Sequence, residues 1–438
     1  MDAFWCERAV LGDGVARGVR IEAGDGIIRD VEVDADPRPG DLRLHGVALP
    51  GLANAHSHAF HRALRGVTHA DGGTFWTWRT EMYRVSARLD PDTYRRLATA
   101  VFAEMVLAGY TVVGEFHYVH GRPDGTPYAD ADMERALLEA ATAAGIRLTL
   151  LDTLYLRGGL DADGAPVPLG EEQLRFSDGS VEAWASRRAR LAPGPTARIG
   201  AAVHSLRAVG AEDLAAFRAA TRRAPVHAHV SEQPAENAQV RAATGTTPTG
   251  LLAAAGLLGP DFTAVHATHL DDADVAALGG TGSGVCFCPT TERDLADGIG
   301  PAHALHAAGA RLSLGTDQHA MVDPFEELRG LEMDDRLASG RRGRFTPAAL
   351  LRAASETGYR SLGWEGGVLR RGAACDLVVL DDASPRTAGA RADQLWLAAT
   401  AADVTDVIVG GRRVVAGGRH ELGDIGRLLR DAIAAVRT

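Results

Sequence analysis

The chain has 438 residues, room for one barrel of about 250 residues with additions or for about three smaller domains. Hydrophobic residues make up 46% and charged residues 24%, a globular balance that excludes disorder, collagen-like repeats and coiled coil. With 46 Lys+Arg against 57 Asp+Glu the net charge is −11, spread along the chain, which excludes the broad basic face that nucleic-acid binding requires.

The chain opens Met1-Asp2-Ala3-Phe4-Trp5-Cys6-Glu7-Arg8, with no basic stretch leading into an apolar one, and no run of 18 apolar residues follows. No membrane contact is therefore expected, and the expected location is the cytoplasm. Residues 1–46 alternate short apolar segments with Gly and Asp turns, the style of a small sheet. Apolar runs of strand length then recur at 47–55, 111–116, 147–152, 199–203, 225–230, 263–267, 285–288 and 312–315. Between them, 90–108, 133–144, 211–223, 247–255, 271–278 and 301–308 carry Ala, Leu and Arg at helical spacing. Strand followed by helix in this rhythm predicts an α/β fold, a (β/α)8 TIM-like barrel over 47–366. Loops 117–130 and 157–178 follow the second and third strands, where barrel loops build active sites.

From residue 367 the sheet-like style returns: 375–380 is apolar, and in 407–415 Gly410-Gly411 separates two β-branched runs as a hairpin turn. Each end is too short for a stable sheet alone, so 1–46 and 367–438 are expected to pair into one small β-sandwich domain, with a terminal helix. Cys6, Cys286, Cys288 and Cys375 are too few for a disulfide framework and lack zinc-ribbon spacing, so packed thiols are expected.

Histidines cluster where these runs end. His56 and His58 close the first, His227 and His229 the fifth, His266 the sixth, and Asp317 follows the eighth. In a barrel all strand C-termini converge on one face, so residues more than 250 positions apart can meet there. Alternation puts His56 and His58 on the same side of their strand. Three imidazoles and one carboxylate suit Zn²⁺ or Fe²⁺, and His56, His58, His229 and Asp317 are assigned as ligands of one metal ion. A bridging lysine for a second metal is missing near 201–207. His227 reads equally as a ligand, as a group supporting a ligand, or as a core histidine.

Glu232, three residues after His229, and His266 are suited to proton transfer at the metal's open position. Glu232 has a second reading, a carboxylate favoured by a helix N-terminus. Cationic and aromatic residues gather in the same loops: Phe75-Trp76-Thr77-Trp78-Arg79, Phe116-His117-Tyr118, and His204 with Arg207. Arginines at the rim of a pocket in an acidic protein orient a small anionic substrate by forked hydrogen bonds. Trp76 and Trp78 also read as plain core, and Arg341 to Arg344 as a solvated run.

Together these residues resemble the amidohydrolase superfamily: H-x-H after strand one, His after strands five and six, Asp after strand eight, and paired termini carrying Gly372-Ala373-Ala374-Cys375-Asp376-Leu377-Val378-Val379-Leu380. Within it, Asn54-Ala55-His56-Ser57-His58-Ala59-Phe60, Gly114-Glu115-Phe116-His117-Tyr118, His204-Ser205-Leu206-Arg207 and His229-Val230-Ser231-Glu232-Gln233 are similar to the branch that removes the imino nitrogen of N-formimino-L-glutamate in histidine breakdown. The resemblance implies one zinc ion on His56, His58, His229 and Asp317. It gives proton handling to Glu232, His266 and Asp317, and substrate binding to His61, Arg79, Tyr118, His204 and Arg207. His61 stands where Gln is expected in part of that branch, and Gln318 where a small residue is expected. The alternatives are a deaminase of guanine or a related ring, which would not need Arg79 and Arg207, and a catalytically silent barrel serving in assembly. A homodimer is the default expectation.

Overall fold

The computed structural model describes residues 2–12, 14–69 and 75–437. Eight parallel strands form the barrel: Leu52–Ser57, Tyr110–His117, Arg147–Leu154, Ala197–Ser205, Val226–Val230, Phe262–His266, Gly284–Phe287 and Arg311–Leu314. They coincide with the eight apolar runs because parallel barrel strands are covered on both faces; Tyr110–His117, for one, is buried throughout. The last strand returns to the first through a bridge between Ser57 and Asp317. Asn54 locks that seam: its side-chain amide donates to Thr316 Oγ1 at 2.7 Å and its carbonyl accepts the Thr316 N–H at 3.0 Å. Gly315 permits the close approach, since a Cβ there would lie 2.8 Å from His56 Cβ.

Helices fill the outer ring. Pro91–Ala108 starts at Asp90, whose carboxylate accepts the Thr93 N–H at 2.8 Å while the Thr93 hydroxyl accepts the Asp90 N–H at 2.8 Å. Proline follows in the first turn, and the helix ends at Gly109 in the left-handed conformation. Its buried face, including Leu97, Val101, Phe102 and Met105, joins the main core. The span 211–223 is helical only over Ala211–Ala220, beyond which Arg223 takes φ 66°.

The termini pair as expected. Asp2–Leu11, Gly14–Gly24, Ile27–Glu32 and Leu42–Pro50 join Leu377–Leu380, Val404–Val409, Arg412–Ala416 and Arg419–His420 in one continuous eight-stranded sheet. The joint is antiparallel, Leu377 opposite Pro50 and Leu380 opposite Val47, so residues 47–50 pair within this sheet. An apolar run cannot mark the point where the chain leaves one sheet for another; here Pro50-Gly51 does. The sheet has its own core of Phe4, Cys6, Val19, Ile21, Leu377 and Ile408. Asp376 ties it to the barrel, accepting Arg147 Nε at 2.7 Å and Tyr359 Oη at 2.6 Å. The final helix, Ile425–Arg437, packs on Pro91–Ala108. The four cysteines are free and buried, and no described helix is long and apolar enough to cross a membrane.

Candidate active site

The C-terminal ends of the barrel strands bring His56, His58, His229, His266 and Asp317 together. One ligand atom each from His56, His229, His266 and Asp317 lies within 4.8 Å of the others, and the same holds for His58, His61 and Asp317. His56 Nε2 is 3.1 Å from His229 Nε2 and 3.2 Å from Asp317 Oδ1, and His58 Nε2 is 3.3 Å from that oxygen.

These residues fit a divalent cation. His58 Nδ1 donates to the Phe116 carbonyl at 2.8 Å and His229 Nδ1 to the His204 carbonyl at 2.8 Å, the partners that fix each tautomer and leave each Nε2 with a lone pair toward the cluster. Burial pushes His56 down to about 3 and His229 well below its ordinary range, so both are the neutral donors that ligation requires. Burial would raise Asp317, but the imidazoles of His56 and His58 at its Oδ1 and the charge of His266 outweigh it and hold the carboxylate ionised. Converging lone pairs and an anion in a buried site repel one another, and a cation removes that cost.

His266 and Glu232 flank the cluster. His266 Nε2 lies 3.8 Å from Glu232 Oε1 and 4.0 Å from Asp317 Oδ2, and its Nδ1 lies 3.4 Å from Glu292 Oε1. Burial opposes its charged form, yet Glu232, Glu292 and Asp317 hold it well above the ordinary histidine range. Ser231, His266, Ala267, Asp317 and His319 all have φ between 44° and 67°. Non-glycine residues pay for that conformation, and the five sit at the C-terminal ends of strands five, six and eight.

Against His58, His61 Nε2 and Tyr118 Oη hydrogen-bond at 2.9 Å. The His204 ring packs 4.5 Å from Tyr155 and 5.3 Å from both Tyr118 and His229. Arg79, on the helix Phe75–Ala87, donates from Nε to Tyr83 Oη at 2.8 Å. Arg207 is half-buried and its Nε has no hydrogen-bond partner. Burial lowers His204 well below its ordinary range, and the charges of Arg207 and Arg79 push the same way, so both guanidiniums lie within electrostatic range of it. The side chains of Phe75 and Trp76 lie outside the described residues.

His227 shares His229's face but sits one pleat deeper, where Nε2 donates to the Ser361 carbonyl at 3.0 Å. It belongs to none of the metal-capable groups among the described residues. Several carboxylates went unread in the sequence. Glu115 sits beneath the H-x-H loop, accepting Ser57 Oγ at 2.7 Å and the Ala59 N–H at 2.6 Å, and burial pushes it up to about 7. Glu292 braces His266, and Asp297 forms a further group with Glu232 and His266. In sequence, Glu292 to Asp297 look like a solvated helix; only the strand just before them, at 284–287, hinted at the cleft.

Residues 47–414 match the Amidohydrolase family. The chain belongs to that family. It is 42% identical over 440 residues to a formimidoylglutamate deiminase of Pseudomonas aeruginosa, covering 96% of each chain. An amidohydrolase crystal structure from Brucella melitensis superposes over 100% of both chains with a TM-score of 0.91 at 32% identity. A zinc-bound adenosine deaminase structure from Xanthomonas campestris shares the fold, with a TM-score of 0.84 at 24% identity over 99% of this chain and 97% of its own.

Proposed function

We propose that this amidohydrolase converts N-formimino-L-glutamate and water into N-formyl-L-glutamate and ammonia, using one divalent metal ion, zinc or else Fe²⁺, on His56, His58, His229 and Asp317. The observation that carries the reading is two unlike groups side by side at the strand ends: buried histidine donors converging on Asp317, and next to His229 the His204 ring, on which the charges of Arg79 and Arg207 act. The substrate has two carboxylates for the arginines and a hydrolysable carbon–nitrogen bond for the metal end. The deiminase from Pseudomonas aeruginosa supports it, being 42% identical across nearly the whole chain.

The metal, when bound, supplies Lewis acidity that makes water a competent nucleophile near neutral pH. Asp317 divides its oxygens: Oδ1 faces His56 and His58, while Oδ2 faces His266 at 4.0 Å. Oδ2 thus takes the proton of the water, which the charged His266 helps to orient. That proton passes by way of His266 to Glu232, 3.8 Å away, which delivers it to the nitrogen that leaves. A carbon–oxygen bond forms, the carbon–nitrogen bond breaks, and ammonia departs. Arg79 and Arg207, with Tyr118, His204 and His61, hold the carboxylates and set the distance to the reacting carbon.

The same reading keeps the enzyme in the cytoplasm, which four free, buried cysteines suit. It pairs the chain as a homodimer, for which Met333 and Leu337, exposed one turn apart on Pro324–Ser339, offer an apolar strip. The deciding experiment measures ammonia release from N-formimino-L-glutamate, N-formimino-glycine, guanine, adenosine and cytosine. The first substrate is expected to dominate, N-formimino-glycine to be poor for want of a second carboxylate, and the rings to be inert. Preference for a ring overturns the assignment.

A further inference from the structure

The cleft holds more carboxylates than the proposed reaction uses. Asp297 follows the short helix Pro289–Asp294 and is 3% exposed. Three loops pin it. Its Oδ1 accepts the side-chain N–H of Gln233, the neighbour of Glu232. Its carbonyl accepts His269 Nε2 at 2.7 Å, and its N–H donates to the Glu292 carbonyl at 2.9 Å. Its second oxygen, Oδ2, is buried with no hydrogen-bond partner. Asp297, Glu232 and His266 nonetheless each place a polar atom within 4.8 Å of the others.

A buried carboxylate oxygen without a hydrogen bond beside a second carboxylate is expensive even with the charged His266 near, because that charge is shared among Glu232, Glu292 and Asp317 and no N–H reaches Oδ2. The cost disappears when a cation with N–H donors lies between the two. The formimino group is such a cation: amidines are strong bases, protonated at neutral pH, and planar with several N–H donors, as a guanidinium is.

We propose that Asp297 is a specificity-determining residue, which together with Glu232 receives the N–H groups of a protonated amidine and so selects cationic amidines over neutral amides and rings. The inference rests on the substrate reading above and extends it: the cleft becomes bipolar, arginines for the carboxylates and paired carboxylates for the amidinium. Burial, and then the charge on Glu232, push the Asp297 carboxyl up to about 8, a strain that an arriving cation relieves.

The test uses Asp297→Asn and Asp297→Ser in the metal-loaded protein. It compares kcat/KM for N-formimino-L-glutamate with the inhibition constant of N-formyl-L-glutamate, which keeps both carboxylates and replaces the amidinium by a neutral amide. The expected result is a fall in kcat/KM of about ten- to a hundredfold, the worth of a hydrogen bond to a charged group, with inhibition by the formyl compound and metal content unchanged. A parallel loss in both constants, or no loss in either, overturns the proposal. Should neither variant fold, calorimetric titration of the wild type with formamidinium and with formamide decides: formamidinium is expected to bind at least about tenfold tighter, and equal binding overturns it. If the wild type releases no ammonia from N-formimino-L-glutamate the substrate reading falls, and the formamidinium comparison, repeated in Asp297→Asn, judges Asp297 by itself: loss of the preference is expected, and an unchanged preference overturns the proposal.

Discussion

Among the described residues two buried histidine–carboxylate clusters stand out, and they are built in opposite ways. At the mouth of the barrel the Nδ1–H groups of His58 and His229 point outward to backbone carbonyls, so Nε2 lone pairs converge on Asp317. Under the loop that follows strand two, protons converge instead. Glu134 Oε1 accepts His117 Nε2 at 3.0 Å, His120 Nδ1 at 2.7 Å and Arg187 Nη1 at 2.8 Å. Arg187 also bridges to Asp152 and Asp178, each at 2.7 Å, and His120 Nε2 donates to the Thr153 carbonyl at 2.8 Å. Burial would raise Glu134, but Arg187 and the two histidines hold it well below the carboxylate range. Arg187 already fills the place of a cation. Histidine spacing does not distinguish the clusters; the direction of the protons does.

The largest expected effect tests the first half of this contrast. Asp317→Asn removes the shared anion, so metal content should drop from about one per chain toward none. Turnover should fall by about 10³-fold or more, the several kcal/mol that Lewis-acid chemistry is worth. Retained metal with retained turnover would move the site elsewhere. Next, Glu134→Gln replaces the charged acceptor on which His117, His120 and Arg187 converge by a neutral one, while Arg187 keeps Asp152 and Asp178; it should cost about 1–3 kcal/mol of stability in denaturant titration, while metal content and turnover of the folded protein persist. Loss of metal in that variant would mean that the second cluster is also a metal site. Glu232→Gln keeps size and removes proton transfer, and should lower kcat by about 10²-fold with metal retained. Near-normal turnover would leave Glu232 as a helix-terminal carboxylate. Arg207→Met keeps the stem's packing and removes the fork, costing about 2 to 4 kcal/mol, or roughly 30- to 1000-fold in kcat/KM for a dicarboxylate. Unchanged kcat/KM would return Arg207 to the surface.

The same contrast explains what the sequence could and could not reveal. Barrel strands buried on both faces are continuous apolar runs, and the eight strands together with His56, His58, His229, His266 and Asp317 at their ends were legible for that reason. Glu292 and Asp297 were not. They belong to no strand, and their acidity reads as solvation until the turn after Phe287 brings them behind His266 and Glu232. The switch of sheets at Pro50-Gly51 was hidden because the apolar run continues through it. His117 and His120 carry ligand-like spacing, and nothing local announces that Arg187, far along the chain, occupies the cation's position.

His227 sharpens the comparison most finely, because it shares a strand face with His229 and belongs to neither cluster. Burial pushes it from 6.5 down to about 4, with the hydrogen bond to Ser361 acting weakly the other way. The unfolded chain therefore binds a proton between those values that the folded chain does not, so this residue's contribution to stability is complete above about pH 6.5 and is lost as pH falls toward about 4. At pH 5.5 the loss should be about 1 kcal/mol relative to pH 7. His227→Gln keeps an N–H donor for the Ser361 carbonyl and cannot titrate, so unfolding free energies of the two proteins should converge as pH falls through that window, with metal content and turnover alike. Parallel pH profiles would mean that His227 is charged in the fold. A loss of metal in the variant would place His227 among the ligands and make the site binuclear.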